Sequence, residues 1–302
     1  MGRKRKGLPI NGWLIIDKPA GLTSSAVVNK LRWLLNAQKA GHAGTLDPDA
    51  TGLLAVAFGE ATKTLSHLTD ALKTYEFTVQ FGAETSTDDA AGEVITTNTH
   101  IPSADQITAQ LPQFTGDIMQ TPPQVSALKV DGQRAYDLAR EGEEFTLAAR
   151  PLFVAELSLT DYAAPQATLK MTCGKGGYVR AIARDLGRAC ESAAHVACLR
   201  RTASGPFDVA TAIQFSTWAE ATREDATSLI DALLPVDAAI TDLPLVEVTE
   251  IGAKAVRNGN AVAVMTSEAQ NNEIARAYCG DQLLALGTYA AGQFQPNRVL
   301  NL

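Results

Sequence analysis

The sequence predicts an α/β (α+β) fold with a mixed, largely antiparallel sheet, followed by a small C-terminal β-barrel. Three observations support this prediction. From Tyr75 to Phe81 apolar residues alternate with polar ones, which is the period of a half-buried strand. After residue 178, apolar residues recur at the spacing of an amphipathic helix. Residues 243–302 consist mostly of short segments that are typical of strands.

Length and composition indicate a globular protein of two domains. At roughly 100–200 residues per domain, a chain of 302 residues predicts one large domain and one smaller one. We expect residues 1–242 to form the large domain and residues 243–302 the small one. Hydrophobic residues make up 46% of the chain and charged residues 20%, which argues against a disordered protein.

The sequence further predicts a cytoplasmic monomer. The apolar stretch near the N-terminus is far too short for a signal peptide, and no later run approaches the length of a membrane span. The four cysteines are widely spaced, form no CxxC pair and lack the histidine spacing of a zinc site. We therefore interpret them as reduced core thiols and expect neither a metal site nor a membrane partner.

Charge is distributed unevenly along the chain, although the net charge is −7. Residues 1–30 carry six Lys or Arg against one Asp, and residues 170–201 carry seven against two acids. Residues 80–128 carry six acids and no Lys or Arg. This pattern suits an acidic back with a basic face that binds nucleic acid. Solvated charge without a partner remains the alternative.

The first third of the chain has clear boundaries between elements. Residues 12–16 predict a short strand, residues 17–21 a turn, and Thr23, Ser24 or Ser25 can cap a helix that continues to Leu35. A Gly-rich loop follows at residues 41–46. Residues 84–100 are acidic and weakly patterned, which predicts an exposed connection before a helix around 103–111.

The remaining elements follow the same signals. Strands are predicted at 152–160 and 167–173, and a glycine-rich turn at 174–177 leads into a helix. Four apolar residues form the buried stripe of that helix: Val179, Ile182, Leu186 and Cys190. Arg180, Arg184 and Arg188 stand four residues apart on another face. A further helix is predicted from Ala226 to Leu234, ending at Pro235.

Residues 41–54, GHAGTLDPDATGLL, form the most informative segment. Asp47 and Asp49 lie in a loop shaped by glycine and proline, which can hold a carboxylate in a fixed, partly desolvated position. Taken alone, the two acids have three interpretations. They are turn or cap residues, ligands of calcium, or the nucleophile and acid of a magnesium-dependent phosphohydrolase with a D-x-D-x-T pattern.

The calcium and phosphohydrolase interpretations fit this loop poorly. An EF-hand loop that begins at Asp47 needs a bidentate Glu at its twelfth position, where the chain has Phe58. A phosphohydrolase of that kind places its first Asp at the end of an apolar parallel strand, whereas residues 41–46 form a Gly-rich loop. We interpret Asp49 as a turn or cap acid.

The segment GHAGTLDPDATGLL resembles the active-site motif of the tRNA pseudouridine-55 synthase family, the TruB type. Three more segments resemble that family in order and spacing. They are DKPAGLTS at 17–24, PPQVSALKVDGQRAYDLAREGE at 122–143 and GGYVRAIARDLG at 176–187. The resemblance covers residues 10–235, and residues 243–302 resemble a shortened PUA-type RNA-binding domain. It implies the pseudouridine synthase fold.

The resemblance implies isomerisation of uridine 55 in the T arm of tRNA, by base flipping and without a cofactor. It makes Asp47 the essential carboxylate. Three routes stay open: attack on ribose C1′, addition to the uracil ring, or removal of a sugar proton. Tyr75 is then expected to pack against the target base and to move a proton at C5, and Arg180 to pair with Asp47 and orient it.

The same resemblance implies the residues that bind the RNA. Tyr178 and Leu199 match residues that line the base pocket, and Lys18 with Pro19 is expected to shape its floor. His42 is expected to stack within the RNA where the flipped base has left a gap. Residues 129–140 are expected to approach the tRNA backbone, while Arg184 and Arg188 are phosphate contacts or solvated charge.

Two other functional classes stay open at this level. One is the magnesium-dependent phosphohydrolase, and the other is a catalytically idle RNA-binding protein or RNA chaperone that kept the fold. Release of tritium from 5-tritiated uridine without added metal separates all three, because only an isomerase breaks the bond at C5.

Overall fold

The structure is a computed structural model that describes residues 7–126, 128–130, 133–134 and 145–302. Six α-helices lie in the described residues: α1 (Ser24–Leu34), α2 (Leu65–Asp70), α3 (Ala104–Gln110), α4 (Val179–Ala189), α5 (Thr227–Asp231) and α6 (Glu250–Arg257). Up to residue 163 the strands are β1 (Gly12–Lys18), β2 (Ala40–Ala43), β3 (Thr51–Phe58), β4 (Lys73–Phe81), β5 (Ala83–Thr85), β6 (Val94–Thr97), β7 (Gly116–Gln120), β8 (Lys129–Val130), β9 (Gln133–Arg134) and β10 (Arg150–Ala163). The strands that follow are β11 (Gln166–Cys173), β12 (Ala194–Ser204), β13 (Phe207–Asp208), β14 (Ile213–Gln214), β15 (Leu245–Glu247), β16 (Val262–Ala263), β17 (Thr266–Ser267), β18 (Glu273–Cys279), β19 (Gln282–Ala290) and β20 (Gln293–Val299).

A ten-stranded mixed sheet organises the large domain. Its strand order is β14-β1-β3-β12-β4-β11-β10-β7, with β2 paired to β3 and β13 paired to β12. Only the β1–β14 and β3–β12 pairs are parallel. The predicted mixed, largely antiparallel sheet is therefore confirmed.

Strands β1 and β3 are covered on both of their faces. Trp13 and Ile15 pack on one side, whereas Leu14 and Ile16 pack on the other side against α1. A strand that is buried on both faces reads as a continuous apolar run rather than an alternating one. This explains the segments GWLII and LLAVAF. Thr23 caps α1, since its hydroxyl accepts a hydrogen bond from the Ala26 N–H at 3.1 Å.

Helix α4 covers the other half of the sheet. Its predicted apolar stripe of Val179, Ile182, Leu186 and Cys190 is buried against side chains of β4, β11 and β12. The inward residues of β4 are Phe77, Val79 and Phe81, as the alternation predicts. This packing fixes the position of α4, whose first turn carries Arg180.

The C-terminal segment forms a separate six-stranded sheet with its own apolar core. Its order is β16-β20-β19-β18-β15-β17, and it curls around α6 as an open half-barrel. Three of its leucines, Leu283, Leu286 and Leu300, pack into the same core cluster as Trp13 and Val236 of the large domain. The two sheets therefore share an apolar contact, and the boundary at residue 243 stays a prediction.

Three element predictions need correction. Residues 41–46 are predicted to form a loop, but residues 41–43 belong to β2, which pairs with β3. Residues 84–100 were expected to be an exposed connection, but β5 and β6 form a hairpin in which Glu84, Thr85 and Asp88 are buried. Glu84 and Asp88 form ion pairs with α4, which local patterning does not encode. The helix predicted from Ala226 to Leu234 is shorter, because 3-10 turns flank the single α-helical segment Thr227–Asp231.

Two further observations concern the cysteines and the membrane. All four cysteines are free thiols, and Cys173 and Cys190 are buried, whereas Cys198 is exposed. In the described part of the chain, no helix has both the length and the apolar character that a membrane crossing requires.

Candidate active site

The loop between β2 and β3 carries Asp47, and its backbone is fixed on both sides of that residue. The hydroxyl of Ser24, at the start of α1, accepts from the Leu46 N–H at 2.9 Å and donates to the Leu46 carbonyl at 3.1 Å. The Pro48 carbonyl accepts from the Lys18 ammonium at 2.8 Å and from the Gly21 N–H at 3.0 Å. Residues 46 and 48 are thus anchored, and the Asp47 side chain, 43% exposed, stays reachable.

Asp47 and Arg180 form the ion pair that the resemblance implies. Arg180 Nε lies 3.0 Å from Asp47 Oδ2. The arginine side chain is 7% exposed, so solvent only weakly screens its charge beside the carboxylate. The buried guanidinium thus holds the Asp47 carboxylate at the accessible surface of the loop.

Arg180 is itself held by the segment that follows β5. Its Nη1 donates to the Thr87 carbonyl at 2.9 Å and lies 3.6 Å from Asp89 Oδ2. Asp89 Oδ1 in turn accepts from the Thr87 hydroxyl at 2.5 Å. The guanidinium thus links two carboxylates, Asp47 and Asp89, and cannot turn away from Asp47 without losing both other partners.

Tyr75 lies in β4 beside the same loop. Burial raises the pKa of its hydroxyl, while the nearby Arg201 guanidinium opposes the rise and the Asp47 carboxylate adds to it. A protonated hydroxyl is therefore favoured in the resting site. Arg201 is the cross-strand neighbour of Tyr75, because β12 pairs with β4 in this register.

Tyr178 is held in place at the N-terminus of α4. The Gln120 side chain accepts from the Tyr178 N–H at 2.9 Å and donates to the Tyr178 carbonyl at 3.1 Å. Burial raises the pKa of the Tyr178 hydroxyl, while the neighbouring Ser126 hydroxyl and the Arg180 charge oppose the rise. Tyr178 thus stands next to Arg180 on the rim of the site.

Lys18 and Pro19 lie beneath the loop. The Lys18 ammonium is buried and donates to the carbonyls of Pro19 at 2.9 Å, Leu22 at 2.8 Å and Pro48 at 2.8 Å. Burial lowers its pKa to about 8, against the attraction of Asp49 and Asp47. Lys18 therefore ties the 19–22 turn to the residue that follows Asp47.

His42 and Leu199 lie at the edges of the same region. His42 is half-buried in β2, and burial followed by the Arg201 charge lowers its pKa, which favours a neutral ring. Among the described residues its Nδ1 has no hydrogen-bond partner. Leu199 is half-buried, and its carbonyl accepts from the Thr51 hydroxyl at 3.4 Å, close to the C-terminal end of the Asp47 loop.

Sequence reasoning missed four residues of this site: Ser24 as the anchor of Leu46, Asp89, Gln120 and Arg201. Asp89 and Gln120 come from weakly patterned segments, so nothing local marks them. Arg201 had one signal, since it follows Leu199 by two residues in a strand and so shares its inward face. The predicted RNA contact at residues 129–140 lies largely outside the described residues.

The expectation that Arg184 and Arg188 are phosphate contacts or solvated charge is wrong for Arg184, which is buried. Its Nη1 lies 2.8 Å from Asp88 Oδ2, its Nε lies 2.8 Å from Asp185 Oδ1, and its Nη2 donates to the Thr121 carbonyl at 2.9 Å. Arg188 is 58% exposed, yet it forms a bidentate pair with Glu84 at 2.7 and 2.8 Å. Both arginines therefore bind protein carboxylates.

The assembled site combines an accessible carboxylate, a fixed guanidinium and two nearby phenol rings. Such a site can hold a planar base against an aromatic ring and present a carboxylate to it or to the attached sugar. Among the described residues, no group of three or more His, Cys, Asp or Glu side chains is placed to hold a metal ion.

Comparison with known proteins identifies the family. The model of the TruB family pseudouridylate synthase N-terminal domain matches residues 32–179, and that of the tRNA pseudouridylate synthase B C-terminal domain matches residues 180–241. The tRNA pseudouridine synthase B of Paracoccus denitrificans is 55% identical over 299 residues, which cover 99% of both chains. The enzyme of the same name from Caulobacter vibrioides is 44% identical and covers 100% of both chains.

Solved structures share the fold. The structure of an H/ACA RNP bound to a substrate RNA containing 2'-deoxyuridine matches with a TM-score of 0.73 and 23% identity, over 100% of this chain and 92% of that one. A Cbf5-Nop10-Gar1 complex matches with a TM-score of 0.70 and 26% identity, over 96% of this chain and 83% of that one. The two family models together match most of the chain, and relatives that align over its full length share more than half of its residues. The chain therefore belongs to the TruB family of pseudouridylate synthases, the enzymes that isomerise uridine to pseudouridine.

Proposed function

We propose that this protein isomerises uridine 55 in the T arm of tRNA and that Asp47 is its catalytic carboxylate. The curated relatives are named tRNA pseudouridine synthase B, which supports tRNA as the substrate class. The observation that carries the assignment of Asp47 is its geometry. It is an exposed acid on a loop whose neighbours are fixed, 3.0 Å from a buried arginine.

The reaction exchanges one bond of the nucleoside for another. The bond between uracil N1 and ribose C1′ breaks, the base turns, C5 joins C1′, the proton at C5 leaves, and N1 gains a proton. No atom of another substrate enters, so the site needs a carboxylate, a surface for the detached base and a proton acceptor near C5.

Tyr75 and Tyr178 offer the surface for the detached base, and in this proposal the protonated Tyr75 hydroxyl gives its proton to N1 before it accepts the one from C5. Each ring is large and flat enough to pack against a uracil base, and the Asp47 carboxylate is close enough for its charge to act on both hydroxyls. The base of a paired or stacked uridine is not reachable in place, so the nucleotide turns out of the RNA to enter this opening. A neutral His42 ring can then stack in the space that the base leaves.

The PUA-like C-terminal sheet supplies further contact to the RNA in this proposal. Helix α6 carries Lys254 and Arg257 in its last turn, and Arg298 lies exposed in β20. Such cations bind phosphates without reading sequence. A monomeric state and a cytoplasmic location stay predictions.

The position in tRNA is tested with a T stem-loop RNA that carries 5-tritiated uridine, in the presence of a metal chelator. We expect stoichiometric tritium release from this RNA, and none from a matched stem-loop in which uridine 55 is replaced by cytidine and other uridines are labelled. Equal release from both RNAs would contradict the choice of position. A phosphohydrolase or an idle RNA-binding protein would release no tritium from either RNA.

A further inference from the structure

Arg201 is a buried cation that the proposed reaction does not use. It is 1% exposed, and among the described residues no carboxylate lies within salt-bridge distance of it. Its sequence neighbour Arg200 instead binds Asp17 through two hydrogen bonds of 2.7 and 3.0 Å. Burying an arginine without an acid is costly, so its retention calls for a specific task.

The Arg201 side chain bridges the two ends of the loop that carries Asp47. Its Nε donates to the Leu53 carbonyl at 2.7 Å, and its Nη2 donates to the Gly44 carbonyl at 3.0 Å. These carbonyls lie before and after Asp47 in the chain. The planar guanidinium fork is suited to hold two acceptors at a fixed separation, which the single ammonium of a lysine cannot do in the same way.

Gly44 in the loop lies against the Arg201 side chain, and Gly52 at the start of β3 lies against the Arg201 backbone. Gly44 has φ +76°, and a Cβ there would lie 3.0 Å from Arg201 Nη1. Gly52 has φ +98°, and a Cβ there would lie 2.2 Å from the Arg201 carbonyl oxygen. Both positions combine a left-handed backbone with close approach to one residue, which is the situation that requires glycine. The loop is thus closed around Arg201.

Arg201 also reaches the second reacting side chain. In the antiparallel pairing of β12 with β4 it stands opposite Tyr75, and its guanidinium neighbours the Tyr75 hydroxyl. One buried group therefore contacts the Asp47 loop at both ends and faces Tyr75. The distance between the carboxylate and the phenol depends on where that group lies.

We propose that Arg201 is a positioning residue that fixes the Asp47 loop against Tyr75 through its two carbonyl contacts. This inference rests on the proposed function, since it assigns tasks to Asp47 and Tyr75. Its effect falls on the chemical step, because a displacement of about 1 Å at a reacting group can cost about 10²-fold in rate. Binding of tRNA, which uses the outer surface, is unaffected.

The test measures single-turnover tritium release from 5-tritiated tRNA at saturating enzyme, together with tRNA affinity. Rates are expressed per molecule that binds tRNA, so a misfolded fraction does not enter. We expect Arg201→Met and Arg201→Lys each to be slower by about 10²-fold with unchanged tRNA affinity. A wild-type rate in either variant overturns the proposal, since the fork would then be dispensable.

Two companion variants separate positioning from loss of stability. Trp13→Leu damages the core at the N-terminal end of β1, where Trp13 pairs with Ala57, and this end lies far from the loop. We expect this variant to melt at a lower temperature than the wild type and to release tritium at the wild-type rate. Gly44→Ala disturbs the same contact from the loop side. We expect Gly44→Ala to release tritium more slowly than the wild type, and this variant tests the proposal if Arg201→Met does not fold. A wild-type rate in Gly44→Ala overturns the proposal.

Asp47→Asn in the same assay keeps the two proposals apart. If Asp47→Asn retains the wild-type rate, the proposed function itself fails. If Asp47→Asn is inactive while both Arg201 variants turn over at the wild-type rate, only the role of Arg201 fails.

Discussion

At the scale of single residues, the site is a row of three charges in which a buried arginine lies between two more exposed acids. Asp47 is exposed, Arg180 is buried behind it, and Asp89 contacts the far side of the guanidinium. An arginine between two acids keeps its orientation more strictly than one with a single partner, because the fork offers several donors in one plane. Asp89 therefore acts on Asp47 through Arg180.

Asp89→Asn is the prediction at this scale. The amide keeps the shape and the acceptor for Thr87 but removes the charge beside Arg180, so we expect turnover to fall by about tenfold, the effect of an interaction of ~1.4 kcal/mol. Single-turnover tritium release checks it. Asp70→Asn is the control, because Asp70 pairs with Lys175 on the exposed surface. An Asp89→Asn enzyme as fast as the control variant would contradict this role.

The site residues that could be predicted from the sequence differ from those that could not in how the fold brings them to the site. Asp47, Tyr75 and Arg180 lie in segments whose motif is continuous in the chain, so a resemblance of local segments is enough to select them. Asp89, Gln120 and Arg201 enter through tertiary contacts between strands that are distant in sequence. Their patterns are those of an ordinary turn, strand end and strand, and only the strand register brings them to Asp47.

At the scale of elements, α4 is tied to the sheet by charge as well as by apolar packing. Its buried stripe could be predicted from helical spacing, whereas the ion pairs of Arg184 with Asp88 and of Arg188 with Glu84 could not. These pairs fasten the segment after β4 to the helix. That segment carries Thr87 and Asp89, so the helix also supports the contacts of Arg180.

Arg184→Gln is expected to destabilise the fold without changing the salt dependence of tRNA binding. It leaves the buried Asp88 carboxylate without its partner, which costs ~3–5 kcal/mol of unfolding free energy. Urea unfolding measures this loss. Titration of tRNA affinity against salt should give the wild-type slope, because Arg184 binds no phosphate. A flatter slope at unchanged stability would instead make Arg184 an RNA contact.

Lys73 joins α2 to β4 and gives stability a pH dependence. Its ammonium donates to the carbonyls of Leu68, Thr69 and Ala71, and burial lowers its pKa to about 8 from the ordinary 10.5. Between these values the unfolded chain binds more protons than the folded one, so the contribution of Lys73 to stability rises with pH and is lost as pH falls through about 8.

Comparison of wild type with Lys73→Met checks this sign. Melting temperatures are measured at several pH values across the window, and the wild type is expected to gain on the variant as the pH rises. Lys18 contributes equally to both proteins and cancels. A difference that stays constant would mean that Lys73 keeps its ordinary pKa in the folded state, and one that shrinks with rising pH would mean that folding raises its pKa.

At the scale of the whole molecule, the C-terminal sheet is a structural partner of the large domain. Leu283, Leu286 and Leu300 enter the core around Trp13, Lys63 Nζ donates to the Val299 carbonyl at 2.8 Å, and the Asn301 N–H donates to Glu60 at 2.7 Å. The strand pattern of residues 243–302 predicts a small second sheet. The alternation of apolar and polar residues does not show which face of that sheet packs against the large domain. That contact depends on the complete fold.

Removal of residues 243–302 is expected to lower both the melting temperature and tRNA affinity. The cut exposes the apolar face around Trp13, yet Asp47, Tyr75 and Arg180 all precede it, so turnover on a T stem-loop should persist. Leu286→Ala in the full chain is the matched variant, because it weakens the same contact by ~2–5 kcal/mol and keeps the RNA-binding surface. A truncated protein that melts like the wild type would show that the shared contact adds no stability.

The most direct test of the account is a double-mutant comparison at Asp47 and Arg180, with single-turnover tritium release, tRNA affinity and thermal melting measured on each protein. Asp47→Asn and Arg180→Met should each abolish most turnover with little change in affinity. The double variant should be scarcely slower than Asp47→Asn, because residues that act as a unit are strongly non-additive. If both single variants instead melt early while their folded molecules turn over at a near-normal rate, the pair is structural and Asp47 is not the catalytic carboxylate.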